Sequence, residues 1–128
     1  MEKRLFEILL EGSCRIVLCP ARSLDRLRIF TSWKRAIDSG RLVVASSLPS
    51  SIRSNSAGSS SQRNQLVAEL ASQIIITYAS EDSRTELFAL GLLQSGMEVH
   101  CLNTGCKRLL ASGAKVIDTD SAAGRILE

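Results

Sequence analysis

The chain has 128 residues, of which 45% are apolar, 23% charged and 4% aromatic, and it carries a formal charge of +3. These values suit one globular domain of roughly 100–200 residues with an aliphatic core, and they exclude a collagen-like, solenoid or wholly disordered chain. The charge is a weak basic bias, compatible with a polyanionic partner and far below histone-like density.

Lys3 and Arg4 precede Leu5-Phe6-Glu7-Ile8-Leu9-Leu10, a pattern that superficially resembles a signal peptide. Glu7 and Glu11 interrupt it and no small-residue cleavage site follows. No apolar run approaches the ~20 residues that span a bilayer. A cytoplasmic protein without a membrane partner is therefore expected.

In chain order, Arg15–Cys19, Leu42–Ala45, Gln73–Tyr78, Glu98–Leu102 and Lys115–Ile117 read as strands. Ile74-Ile75-Ile76 does not alternate with polar residues, as expected where helices cover both faces of a parallel sheet. Leu24, Leu27, Ile29, Trp33 and Ile37 have helical spacing in the first crossover, and Leu87, Leu90, Leu92 and Leu93 in a later one. Gly40 and Gly96 follow such segments, where a helix end favours a residue tolerant of positive φ. Ser46–Ser61 is serine-dominated and predicts a flexible loop before a helix starting near Gln62. The fold class expected is α/β, a three-layer Rossmann-like fold with a mostly parallel sheet of about five strands. It spans residues 1–128 as a single domain.

Ligands of open parallel sheets bind beyond the carboxyl ends of the strands. Polar clusters follow four of the predicted strands: Pro20-Ala21-Arg22-Ser23, Gly58 to Asn64, Ser80 to Thr85, and Asn103-Thr104-Gly105. In the second cluster, Ser59, Ser60, Ser61, Arg63 and Asn64 offer hydroxyls, amides and a cation to a phosphate at a helix start. Simple N-capping by Ser60 or Ser61 explains the same serines equally well. In the third, Glu81 and Asp82 favour capping, with Arg84 and Thr85 as the remaining ligand candidates. Arg22, Arg26, Arg28, Lys34 and Arg35 make the first crossover basic, which suits a nucleic-acid backbone or merely a solvated face.

Trp33 lies on the apolar stripe and reads as core. His100, the only histidine, has no neighbouring motif that would define a triad and reads as structural. Cys14, Cys19, Cys101 and Cys106 form two pairs without the spacing of common zinc sites, and read as reduced, buried hydrophobes. Asp118 and Asp120 read as the start of a terminal helix. No catalytic group, metal or cofactor is expected.

Taken together, the motifs resemble the Rossmann-like core of the DNA-processing protein A family, also called Smf. Arg15 to Cys19 with Leu24-Asp25 resembles that family's strand and Gly-Leu-Asp turn. Arg63-Asn64-Gln65-Leu66-Val67-Ala68-Glu69-Leu70 resembles its Arg-Asn-Arg-Ile-Ile-Ala-Gly-Leu segment, and Ser83-Arg84-Thr85 its Ser-Gly-Ser or Ser-Gly-Thr element. Gly96-Met97-Glu98-Val99 resembles its Gly-Arg-Glu-Val element, and Gly105 to Ala114 its Gly-x-Asn-x-Leu-Ile-x-x-Gly-Ala pattern. Tyr78, Arg84 and Asn103-Thr104-Gly105 depart from the family's Glu, Gly and Pro-Gly.

The resemblance implies a shortened, divergent relative that binds single-stranded DNA or a nucleotide without being an enzyme. It further implies a homodimer, with a recombination protein as a possible partner. Nucleotide or phosphate contacts fall on Ser59, Ser60, Ser61, Arg63, Asn64, Arg84, Thr85 and Gly105, and DNA-backbone contacts on Arg22, Arg26, Arg63 and Lys107. Two alternatives stand beside this expectation. One is a nucleotide-processing enzyme related to the phosphoribohydrolases, whose glycine-rich motif is missing here. The other is a structural dimer that has lost its ligand site.

Overall fold

The computed structural model describes residues 2–102 and 104–117. Among these described residues ten elements follow one another: α1 (Glu2–Glu11), β1 (Ile16–Leu18), α2 (Thr31–Asp38), β2 (Leu42–Val44), α3 (Ala57–Leu70), β3 (Gln73–Ile76), α4 (Arg84–Gln94), β4 (Glu98–Cys101), α5 (Lys107–Ala111) and β5 (Lys115–Val116). All five expected strands are present, each shorter than its apolar run. Every pairing among them is parallel. The ladders join them as a pair, β1-β2, and a triplet, β3-β4-β5, so the fold is α/β with two short parallel sheets. Asp118 and Asp120 lie outside the described residues.

Two compact units result, one formed by Phe6–Leu70 and the other by the described residues from Ala71 onward together with the start of α1. In the first, Ile16 faces Leu42 and Val17 faces Val43 across the ladder. Alternation along each strand sends Ile16 and Leu42 into a core with Ala36, against which Phe6, Leu9, Leu10, Trp33 and Ile37 pack. The same alternation turns Val17 and Val43 outward, where they are 56% and 55% exposed. Trp33 meets Phe6 edge-on at 5.4 Å, as its place on the stripe predicts.

In the second unit Ile74, Ile76, Val99 and Cys101 point into the core, with Ala89 of α4 and Leu109 of α5 fully buried. Gly40 and Gly96 have φ of +75° and +88°. Each sits just past a helix whose last carbonyls are closed by the paired bonds of a Schellman motif: Gly40 N to Ile37 O with Arg41 N to Ala36 O, and Gly96 N to Leu93 O with Met97 N to Leu92 O.

Two helix boundaries differ from expectation. The stripe at Leu24, Leu27 and Ile29 is not helical, since α2 starts only at Thr31. Arg26 has a φ of +57° and Leu27 N bonds to Leu24 O, so the chain turns there instead of winding on. The serine loop also ends earlier than Ser61. Ser56 Oγ accepts from Ser59 N at 3.1 Å while Ser59 Oγ accepts from Ser56 N at 2.8 Å, a capping box that starts α3 at Ala57.

Candidate functional site

In the first unit the parallel strands β1 and β2 deliver two loops to the same carboxyl edge. Ser46, just beyond β2, ties them together: its Oγ donates to Arg22 O at 2.7 Å and accepts from Leu48 N at 3.1 Å. Ser23 N donates to Ile52 O at 2.7 Å, which fastens the β1 loop to the end of the β2 loop. Cys19, Ala21, Ser23 and Leu48 are buried as a result.

This packing leaves two donors stranded. Arg22 Nε and Ser23 Oγ are buried and have no hydrogen-bond partner among the described residues, and Ser23 as a whole is 2% exposed. A buried polar group left unpaired costs about 1–3 kcal/mol, so an anionic acceptor here would relieve a standing penalty. Arg63, on the second turn of α3, is half-buried and adds its charge to the same edge. Burial pushes the Cys19 thiol up, and the Arg63 guanidinium opposes that rise. Arg63 Nε donates to Asn64 Oδ1 at 2.8 Å, which holds the guanidinium in place.

The remaining expected residues of this unit divide by role. Ser59 is 4% exposed and its hydroxyl is engaged with Ser56 through the backbone and side chain, so it builds the helix start. Ser60 is half-buried and Ser61 exposed, both within α3 and not in a loop ahead of it. Arg26 is exposed on the turn after β1. A groove of about 390 Å³ is lined by Ser47, Gln62, Gln65, Leu66 and Glu69. Its lining includes the Glu69 carboxylate and no cation, which does not suit an anion.

In the second unit Ser83 caps α4 by accepting from Glu86 N at 3.2 Å, and the buried Glu86 carboxylate accepts from Asp82 N. Arg108 pairs with both Asp82 and Glu86. The first turn of α4 is thus closed by Ser83 and the Glu86 carboxylate, whereas Glu81 and Asp82, expected in that turn, lie ahead of the helix and the Asp82 carboxylate turns to Arg108. Arg84 is exposed and Thr85 half-buried on that turn. Gly105 is exposed and its carbonyl accepts from Lys107 N, with Lys107 exposed at the start of α5. Asn103 lies outside the described residues.

Ser23 and Ser46 are the site residues that sequence reasoning passes over. Ser23 lies in the polar cluster after β1, but what sets it apart is its burial and its backbone bond to the distant Ile52, which no local pattern reveals. Among the described residues no three His, Cys, Asp or Glu side chains group to hold a metal ion, and no helix is long and apolar enough to cross a membrane. No protein-family model, curated protein or solved structure matches the chain.

Proposed function

We propose that this chain is a non-enzymatic module that holds a nucleotide phosphate or the backbone of single-stranded DNA at the carboxyl edge of β1 and β2. The observation that carries this is the pair of buried, unpartnered donors, Arg22 Nε and Ser23 Oγ, beside an edge charged by Arg63. Two such donors suit phosphate oxygens, and guanidinium groups favour two-oxygen recognition of phosphate. Parallel α/β sheets bind ligands at this edge.

The reading agrees with the resemblance to the DNA-processing protein A family. In that reading the five strands belong to a Rossmann-like core, and the protein acts in the cytoplasm as a homodimer that serves a recombination protein. The exposed Val17 and Val43 support contact with a second copy. Arg84, Thr85, Gly105 and Lys107 are proposed as further backbone contacts.

The test is fluorescence anisotropy of a labelled oligo-dT across a salt series, with duplex DNA and free nucleotides as competitors. Binding that weakens steeply with salt is expected. Arg63→Ala and Arg22→Ala should each lower the slope of log affinity against log salt by about 0.7, the contribution of one phosphate on a single strand. Absence of binding at low salt, or unchanged slopes in both variants, would overturn the proposal.

A further inference from the structure

The segment between β1 and α2 carries a feature that the phosphate edge does not use. Phe30, the residue before α2, is 46% exposed, with Ile29 and Leu24 nearly as open. Its ring meets Trp33 at 5.1 Å, and Trp33 in turn meets Phe6 at 5.4 Å, so the exposed ring is anchored to the core through two edge contacts. The Arg28 guanidinium lies over the Phe30 ring, 5.1 Å from its centroid. Arg28 is exposed and makes no ion pair among the described residues, so its partner there is the aromatic ring.

The segment itself is basic, although Glu11 of α1 lines a groove with Thr31, Ser32 and Arg35. Arg22, Arg26, Arg28, Lys34 and Arg35 lie between residues 22 and 35, where the single acid, Asp25, is paired with Arg53 at 3.7 Å. Phe30 supplies no side-chain cap to α2, which leaves the positive end of that helix beside the same surface. A guanidinium held over an anchored ring, in a segment rich in cations that make no ion pair among the described residues, fits a partner that combines planar apolar rings with phosphates. An apolar protein surface would match the ring and leave the cations unanswered.

We propose that Arg28 and Phe30 form a stacking platform for an unpaired base of a single-stranded nucleic acid, the base lying on the outer face of the guanidinium. This rests on the polyanion-binding reading and adds what that reading lacks, a means of preferring single strands. Bases in a duplex have their faces buried in the stack, whereas every unpaired base offers one.

The experiment compares labelled oligo-dT with an abasic oligonucleotide of equal length, for the wild-type chain, Arg28→Lys and Phe30→Leu. Arg28→Lys keeps the charge and loses the plane, and as an exposed substitution it leaves the fold intact. Each variant should bind oligo-dT about 5- to 50-fold more weakly, the loss of roughly one stacked base, with an unchanged salt slope. Binding to the abasic strand should not change. Trp33, the only tryptophan, touches Phe30, so its emission should respond to oligo-dT and not to the abasic strand.

Oligo-U in place of oligo-dT separates RNA from DNA as the source of the base. Equal wild-type affinity for oligo-dT and the abasic strand, with Arg28→Lys unaffected, would overturn the platform and leave the phosphate site standing. Failure of the wild-type chain to bind either strand at low salt would overturn both.

Discussion

Glu98 Oε1 lies 2.9 Å from His100 Nε2, and the same oxygen accepts from Lys115 Nζ at 3.2 Å. Alternation along β4 puts Glu98 and His100 on one face, and the register places Lys115 of β5 opposite His100. The carboxylate thus bridges two basic groups that would otherwise face each other across the ladder.

Those bonds make acid stability depend on Glu98. The Lys115 hydrogen bond foremost, and then that of His100, hold its carboxyl below the ordinary value of 4.5. A carboxyl lowered in the folded state stabilises the fold above its unfolded pKa, and that contribution is lost as pH falls through the folded value. Urea titrations from pH 6 downward should therefore show wild-type stability falling more steeply below about pH 4.5 than that of Glu98→Gln. Parallel curves would show that these exposed contacts contribute nothing.

Ser59 is expected to matter for stability and not for binding. Its hydroxyl completes the reciprocal cap with Ser56, and it is buried. Ser59→Ala should cost about 1 kcal/mol, within the usual range for losing a helix cap, while oligo-dT affinity stays the same. Ser61→Ala, at an exposed position inside α3, should change stability by less than about 0.5 kcal/mol. A tenfold loss of affinity in Ser59→Ala without a loss of stability would return this serine to the ligand site.

The strands were legible because Ile-Val runs between helical segments have few other uses, and the glycines at 40 and 96 because helix ends that need positive φ select them. What local sequence concealed depends on distant partners. The spacing of Leu24, Leu27 and Ile29 is that of a helix, yet Asp25 pairs with Arg53 across the unit and Arg26 turns the chain. Ser56 and Ser59 cap α3 without the glutamate or glutamine that makes a capping box recognisable. Ser83 and Glu86 carry that signature openly and cap α4, although the reading of the cluster as a cap rests on Glu81 and Asp82, which precede the helix. At the candidate site Arg63 is expected at a helix start near Gln62, whereas α3 begins at Ala57 and places it on the second turn, and the buried Ser23 is fastened through its backbone to Ile52, a partner no local pattern indicates.

Arg108 should be the costliest charge to remove from the second unit. The Glu86 side chain is 3% exposed, with Arg108 NH1 at 3.1 Å from its Oε1. Deleting the guanidinium leaves a buried carboxylate supported only by the Asp82 amide and the start of α4. Because Arg108 itself is 47% exposed, water partly replaces it, and Arg108→Ala should cost about 1–3 kcal/mol by urea denaturation. Adding Glu86→Gln to Arg108→Ala should recover part of that loss, since the uncharged amide keeps the volume without the unpaired charge. A double variant no more stable than Arg108→Ala would place the cost in the packing of the arginine stem.

The Cys101 thiol sets an alkaline limit. Burial, with Cys106 beside it, pushes its pKa up to about 11 from an ordinary value of 9.0. Here the protonated form is the one the fold favours, so its contribution is complete below pH 9 and is lost as pH rises toward the folded value. Wild-type stability should accordingly decline between pH 9 and 11 more steeply than that of Cys101→Ala, whose cavity lowers stability by a pH-independent amount. Alkylation gives an independent reading, because the thiolate is the reactive form. At pH 8, iodoacetamide should modify the half-buried Cys14 first and leave Cys101 and Cys106 untouched until urea unfolds the chain. Mass spectrometry of peptides from a time course distinguishes the sites. Early modification of Cys101 in the native protein would mean that the second unit opens locally, and the alkaline decline should then be as shallow in the wild type as in the variant.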